Sequence, residues 1–314
     1  MFTENKYTAE PFRDIYPSRD GSPARLLERI DPVLYAGDDE TAPIAATLVK
    51  QYREQGFVIL ENIFSDREIA LFSAELERLR RTEATDTTDE IIREPGHGDI
   101  RSIFKVHESN LLFNKLASDN RLAGLAQYLL ADEIYVHQSR VNYKPGFRGK
   151  EFYWHSDFET WHIEDGMPRM RALSVSITLT ENHPYNGPLL LIPGSHQYYA
   201  VCEGETPKDH YRSSLKQQQY GVPSDALLQQ MAQRGGIVSA TGKAGSVIVF
   251  DCNTMHGSGS NITPFPRSNV FMVYNALSNR VVEPCHGLTP RPEYLCSRQQ
   301  IKAITPQTVD YGNS

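Results

Sequence analysis

The chain has 314 residues, and 32 Lys and Arg against 39 Asp and Glu give a formal net charge of −7. That acidic balance argues against the basic field nucleic-acid binding requires, while 16 Tyr, 13 Phe and 2 Trp provide more core material than a disordered chain carries. Counted with glycine in place of tyrosine, the apolar share is about 40 %, below the ~45–50 % of ordinary globular chains, which predicts a partly polar interior. No apolar run is long enough to span a bilayer, and the N-terminus, charged at Glu4, Lys6 and Glu10, does not read as a secretory signal. Cysteines at 202, 252, 285 and 296 show no ligand or disulfide spacing, which points to a reducing, cytoplasmic setting.

Residues 1–40 are polar, punctuated by Pro17, Gly21, Pro23 and Pro32, and read as an extended surface segment. A helix is expected from Thr41, with Ile44, Leu48 and Tyr52 on one face and Gly56 closing it. Phe57–Leu60 reads as a short strand. Ser65 and Glu68 form a capping box ahead of Ile69, Phe72, Leu76 and Leu79 at helical spacing. Residues 82–100 are charged and Thr-rich, with Pro95 and Gly96, and read as a mobile loop. A second helical block spans 108–131, so that 41–131 is mostly helical support. Beyond 132 the pattern turns to alternation. Along 134–144 one face carries Gln138, Arg140, Asn142 and Lys144 and the other Tyr135, His137, Ser139, Val141 and Tyr143. Along 171–180 Leu173, Val175, Ile177 and Leu179 alternate with Ser174, Ser176, Thr178 and Thr180. Further strands are expected at 188–192, 246–250 and 268–276, separated by Asn186-Gly187, Pro193-Gly194, Gly235-Gly236 and Pro264/Pro266. Helices followed by short strands predict one mainly-β domain, an antiparallel barrel or sandwich over 132–280 faced by helices, with 281–314 a C-terminal segment.

The densest chemistry lies in Trp154-His155-Ser156-Asp157-Phe158-Glu159-Thr160-Trp161-His162. On a strand, His155 and Asp157 point to one face and can share a metal. His256 follows a strand about a hundred residues on, and Arg267 lies eleven residues further. Two His and one carboxylate form the facial set of non-haem Fe(II) oxygenases, leaving three open positions for a chelating 2-oxo acid and O2. Arg267 then supplies the fork for the distal carboxylate of 2-oxoglutarate. Spacing alone leaves a zinc hydrolase open. Cys252, four residues before His256, is read as packing; His162, His183 and His196 stay outside the triad, His196 being read as structural in its turn.

The run from Phe152 to Pro168 resembles the signature of ectoine hydroxylases, in the phytanoyl-CoA dioxygenase-like branch of Fe(II)/2-oxoglutarate oxygenases. The likeness continues through Met170–Ser174, Pro193-Gly194-Ser195-His196, Asp251–Ser258 and Pro266-Arg267-Ser268-Asn269, covering essentially the whole chain. It implies a double-stranded β-helix (jelly-roll) core holding iron through His155, Asp157 and His256, with Asp157 directing hydroxylation rather than halogenation. It assigns Asn142, Lys144, Ser258 and Arg267 to 2-oxoglutarate. Gln138, Thr160, Trp161 and Arg291 are assigned to ectoine, a small cyclic amidine carrying a carboxylate, with Arg291 on that carboxylate. Ser174 and Tyr274 are placed in the same pocket by position. The implied reaction is O2-dependent conversion of ectoine to 5-hydroxyectoine in osmotic protection, with succinate and CO2 released, by a cytoplasmic homodimer with no membrane or nucleic-acid partner. A hydroxylase of another small acid and a non-catalytic osmolyte-binding barrel are the alternatives.

Overall fold

In the computed structural model, residues 14–37, 42–83, 87–94, 98–207, 209, 211–215, 220–284 and 287–312 are described. Thr41, Pro95, Gly96, Cys285 and the charged positions before residue 14 lie outside them. The strands among the described residues are β1 (Arg25–Glu28), β2 (Phe57–Leu60), β3 (Ile91–Arg93), β4 (Ile100–Phe104), β5 (Ile134–Lys144), β6 (Phe152–His155), β7 (Ala172–Thr178), β8 (Leu189–Leu191), β9 (Tyr198–Val201), β10 (Val238–Ser239), β11 (Val247–Asp251), β12 (His256–Ser258) and β13 (Arg267–Ala276). The helices are α1 (Ala46–Gln55), α2 (Asp66–Thr82), α3 (Val106–Ser109), α4 (Leu111–Ala117), α5 (Ala123–Leu130), α6 (Asp157–Asp165), α7 (Tyr211–Ser214) and α8 (Asp225–Gly235).

Alternation along β7 shows how the sheets are built. Leu173, Val175 and Ile177 join the main apolar cluster with Phe72 and Leu76 of α2 and Leu116 of α4. Ser174, Ser176 and Thr178 point the other way and are buried as well. The larger sheet has seven strands in the order β2-β11-β7-β13-β5-β4-β3, and its helix-facing side covers α2, α4 and α5. A second sheet, β10-β8-β12-β6, supplies the opposite wall, and β1 pairs with β9. Every ladder is antiparallel. The core is a jelly roll whose polar lumen explains the modest apolar share of the sequence.

The capping box forms as expected: Ser65 Oγ accepts from Glu68 N–H and the Glu68 carboxylate accepts from Ser65 N–H. Helix α1 ends on Gly56 at φ 84. Three expectations need correction. Residues 82–100 contain β3 and lead into β4, which pairs with β5, so the stretch taken as a mobile loop extends the sheet edge. Their branched residues are too few to outweigh the charges around them as a pattern. The 108–131 block is three helices, broken where Asn110 caps α4 by accepting from Leu112 and Phe113 N–H. Finally, the β5–β13 register slips between Val273 and Tyr274, from Val273 opposite Gln138 to Tyr274 opposite Val136. His137 is thereby the extra residue of a bulge. Tyr135 and His137 consequently leave the helix-facing side and meet the opposite elements: Asn275 Nδ2 donates to Tyr135 Oη, and the His137 ring stands against Trp161 at 5.1 Å.

Candidate active site

One pocket runs between the two sheets, lined by residues of β4, β5 and β13 on one side and β6, β8 and β12 on the other. His155 and His256 are direct partners across the β6–β12 ladder, and their ring centroids are 4.2 Å apart. Asp157 is not on the strand, contrary to the expectation from spacing. β6 stops at His155, Ser156 caps α6 by accepting from Glu159 N–H, and Asp157 is the first helical residue. Its Oδ1 lies 3.6 Å from His155 Nε2 and 3.8 Å from His256 Nε2. The ligand atoms of the three residues all fall within 4.8 Å of one another.

The donor set fits a divalent cation. His155 Nδ1 lies 2.8 Å from Tyr153 C=O and His256 Nδ1 2.9 Å from Thr254 C=O. Those carbonyls fix each ring with its Nε2 lone pair aimed at the common centre. Burial, reinforced by neighbouring His155, pushes the His256 imidazole down to about 4. Burial alone would raise the Asp157 carboxyl, but facing His256 and His155, with Arg140 behind them, holds it well below its ordinary value. The set thus presents two imidazole Nε2 atoms and one carboxylate oxygen to a common centre. A second group, His137, Asp165 and Cys296, also converges. There Arg291 holds Asp165 through both oxygens and burial raises the Cys296 thiol, both opposing a cation.

The end of the pocket beyond the triad is strongly cationic. Lys144 and Arg267 face each other in the β5–β13 ladder. Lys144 Nζ donates to Ser258 Oγ at 2.9 Å and Gly259 C=O at 2.6 Å. Arg267 is buried with Nε and Nη1 lacking any hydrogen-bond partner. Burial, with help from Arg101, pushes its guanidinium down to about 10. Burial and the charges of Arg267 and Arg101 likewise hold Lys144 well below its ordinary value. Orphaned donors at this depth require an anion, and a dicarboxylate reaching from the triad satisfies them. Asn142, two residues before Lys144 on β5, lines the same pocket and accepts from Ser102 Oγ through Oδ1.

At the other end, Thr160 and Trp161 lie on the turn of α6 after Asp157, Thr160 Oγ1 being buried without a partner. Gln138 donates to Leu295 C=O at 2.8 Å and accepts from Arg140. Arg291, its side chain 8 % exposed, lines the pocket while gripping Asp165 at 2.8 and 2.5 Å. Two residues expected in the pocket lie elsewhere. Tyr274 is in the main core with its hydroxyl on Ala117 C=O, because it shares the face of Val270 and Met272, opposite to that of Arg267 and Phe271. Ser174 does not line the pocket; its Oγ donates to Asp157 Oδ2 at 2.9 Å. The sequence reading also missed pocket residues. Arg101 and Glu94 fell in the stretch read as a loop or at its edge. Phe271 was discoverable, since it sits four residues past Arg267 on the same face.

A histidine–carboxylate–histidine set in a jelly-roll lumen, facing a buried arginine that awaits an anion, defines a non-haem iron, 2-oxo-acid-dependent oxygenase. Residues 52–269 match the phytanoyl-CoA dioxygenase family. Ectoine dioxygenase from Bordetella bronchiseptica is 54 % identical over 296 residues, covering 94 % of this chain and 96 % of that protein. The Stutzerimonas stutzeri protein of the same name is 53 % identical, covering 95 % and 99 %. The crystal structure of EctD from S. alaskensis with 2-oxoglutarate and 5-hydroxyectoine superposes with a TM-score of 0.85 at 48 % identity, over 94 % of this chain and 98 % of that one. The chain therefore belongs to the phytanoyl-CoA dioxygenase family and, within it, to the ectoine dioxygenases. A carbocyclase from nogalamycin biosynthesis, 20 % identical with a TM-score of 0.56, shares the fold.

Proposed function

We propose that the protein hydroxylates ectoine to 5-hydroxyectoine with Fe(II), 2-oxoglutarate and O2, releasing succinate and CO2. What carries the reading is that one pocket joins the triad to an anion-seeking end and to a separate wall of Thr160, Trp161, Gln138 and Arg291. Names of relatives support it: they are ectoine dioxygenases over more than nine-tenths of the chain.

His155, Asp157 and His256 would hold the iron. With the cosubstrate and O2 bound, the iron supplies the oxidising power that puts a hydroxyl on an unactivated C–H bond. The chain's own residues do the rest. Arg267, Lys144 and Ser258 hold the distal carboxylate of 2-oxoglutarate, and its charge relieves the crowding of Arg267, Lys144 and Arg101. Arg291 takes the ectoine carboxylate, Trp161 offers a ring face to the amidinium, and Thr160 and Gln138 offer hydrogen bonds near the ring nitrogens. Two anchors on one small ring leave a single C–H facing the metal, which is how position is chosen.

We further propose that the enzyme works as a cytoplasmic homodimer in osmotic protection. Among the described residues no helix is long and apolar enough to cross a membrane. The deciding experiment is mass-spectrometric product analysis after incubation of the purified protein with Fe(II), ascorbate and ectoine, with and without 2-oxoglutarate. A gain of one oxygen only when 2-oxoglutarate is present is expected. Absence of ectoine-stimulated succinate would overturn the proposal, and turnover without O2 would point to hydrolysis. Light scattering tests the dimer.

A further inference from the structure

Helix α6 carries four carboxylates in nine residues, Asp157, Glu159, Glu164 and Asp165, and all four are buried. Buried charges persist only when each is answered by an opposite charge or a dense set of hydrogen bonds. Asp157 faces the triad histidines, and Asp165 is gripped by Arg291. Glu159 and Glu164 are answered from the far N-terminal part of the chain, by Arg19. Its Nε and Nη2 reach the two oxygens of Glu159 at 2.9 and 2.5 Å, and its Nη1 reaches Glu164 Oε1 at 2.6 Å. The side chains of Arg19 and Glu159 are 1 % and 2 % exposed.

The surroundings are built around this contact. Ser18 Oγ donates to Glu159 Oε1 at 2.7 Å, and Tyr16 stands edge-on to Phe158 at 5.4 Å. Arg19 itself has φ 55, a left-handed conformation that a residue with a Cβ adopts only when its environment compels it. Gly221, at φ 68, presses its backbone onto the pair; a Cβ there would lie 2.2 Å from Glu159 Oε2 and 2.5 Å from Arg19 Nη2. Glu164 also lies 3.6 Å from Arg291 Nε and lines the pocket. A buried chain of charges, Arg19–Glu164–Arg291–Asp165, therefore links the N-terminal segment to the pocket wall.

We infer that Arg19 is a positioning residue for the ectoine half of the site. Through Glu159 it fixes the rotation of α6, which presents Thr160 and Trp161, and through Glu164 it fixes the guanidinium of Arg291. The inference rests on the ectoine reading above. The 2-oxoglutarate end is anchored independently, because Lys144 and Arg267 belong to β5 and β13 and His155 and His256 to β6 and β12. Asp157 starts α6 but is held in addition by Ser174 Oγ of β7 and by the two histidines it faces.

The test is Arg19→Lys in the full chain, which keeps the charge but cannot reproduce the two-pronged grip on Glu159 together with the contact to Glu164. A misplacement of this kind is expected to raise KM for ectoine about tenfold and to increase succinate formed per hydroxyectoine, with KM for 2-oxoglutarate unchanged. A folded variant whose KM for ectoine is unchanged overturns the inference. So does an equal rise in both KM values, which a merely structural role would give. If Arg19→Lys does not fold, Arg19→Gln, which keeps a hydrogen-bond donor but removes the guanidinium fork, decides the matter: a rise confined to the ectoine KM supports the inference, and no rise overturns it. A wild-type protein inactive on ectoine overturns this inference together with the functional reading, whereas an active wild type with an unchanged variant overturns this inference alone.

Discussion

At the scale of single residues, the two oxygens of Asp157 have different surroundings. Oδ1 faces both histidine Nε2 atoms, whereas Oδ2 accepts from Ser174 Oγ at 2.9 Å. The serine occupies one oxygen and leaves the other facing the histidines, so it would orient a metal ligand without itself lining the pocket. Removing such a partner typically costs 10–100-fold in metal affinity. Ser174→Ala is expected to raise the Fe(II) concentration giving half-maximal activity by roughly tenfold, and Ser174→Thr, which keeps the hydroxyl, to recover most of it. An Fe(II) titration unchanged in Ser174→Ala would show that the hydrogen bond does not orient the ligand. In the sequence His155, His256 and Arg267 stand out by ligand chemistry and spacing, whereas Lys144 is picked out by the family resemblance; the structure lines one pocket with all four. It could not place Ser174, because parity only says that the side chain faces the lumen and the metal ligand it meets is seventeen positions away. Tyr274 was legible and misread: the alternation that puts Arg267 and Phe271 in the pocket puts Tyr274 outside it.

At the scale of elements, short-range signals translated well and long-range ones did not. The capping box of α2, the glycine ending α1 and the alternation of β7 are each set by neighbours within a few residues. The bulge at His137 depends on how β5 sits against β13, over a hundred residues on, and no local pattern announces it. Gly56 shows local and distant demands meeting at one position. Its φ of 84 ends α1, its C=O accepts from Thr254 Oγ1 at 2.8 Å and from Asp251 N–H, and an added Cβ would lie 2.5 Å from His196 Nδ1 and 2.6 Å from Thr254 Oγ1. His196 is thereby structural, as its sequence context suggested: its Nε2 lies 3.1 Å from Arg53 C=O. Gly56→Ala carries a left-handed backbone penalty of about 1–3 kcal/mol, to which the clash adds. A lower denaturant midpoint is expected, with weaker iron binding as well, because Thr254 C=O orients His256. Equal midpoints for variant and wild type would mean that the helix end relaxes freely.

At the scale of the whole molecule, net charge and local charge run in opposite directions. The chain is −7 overall, yet Arg101, Arg140, Lys144, Arg267 and Arg291 all line one pocket. The cationic lumen thus concentrates anionic ligands although the chain as a whole is acidic. The same separation holds between stability and chemistry. The main apolar cluster lies between α2, α4, α5 and the helix-facing side of the large sheet, and it contains none of the three candidate metal ligands. Metal occupancy should therefore tune stability without creating it. A ligand at a hundred times its dissociation constant stabilises by about 2.7 kcal/mol. In a large domain each kcal/mol moves the melting temperature by roughly 2–4 °C, so chelation is expected to lower Tm by several degrees while abolishing turnover. The far-UV circular dichroism and the cooperativity of the melt should be retained, and Fe(II) should restore activity in full. If chelation instead collapsed the melt into a broad transition, the triad would be part of what holds the two sheets together, and the division between a structural helix-facing side and a functional lumen would have to be abandoned.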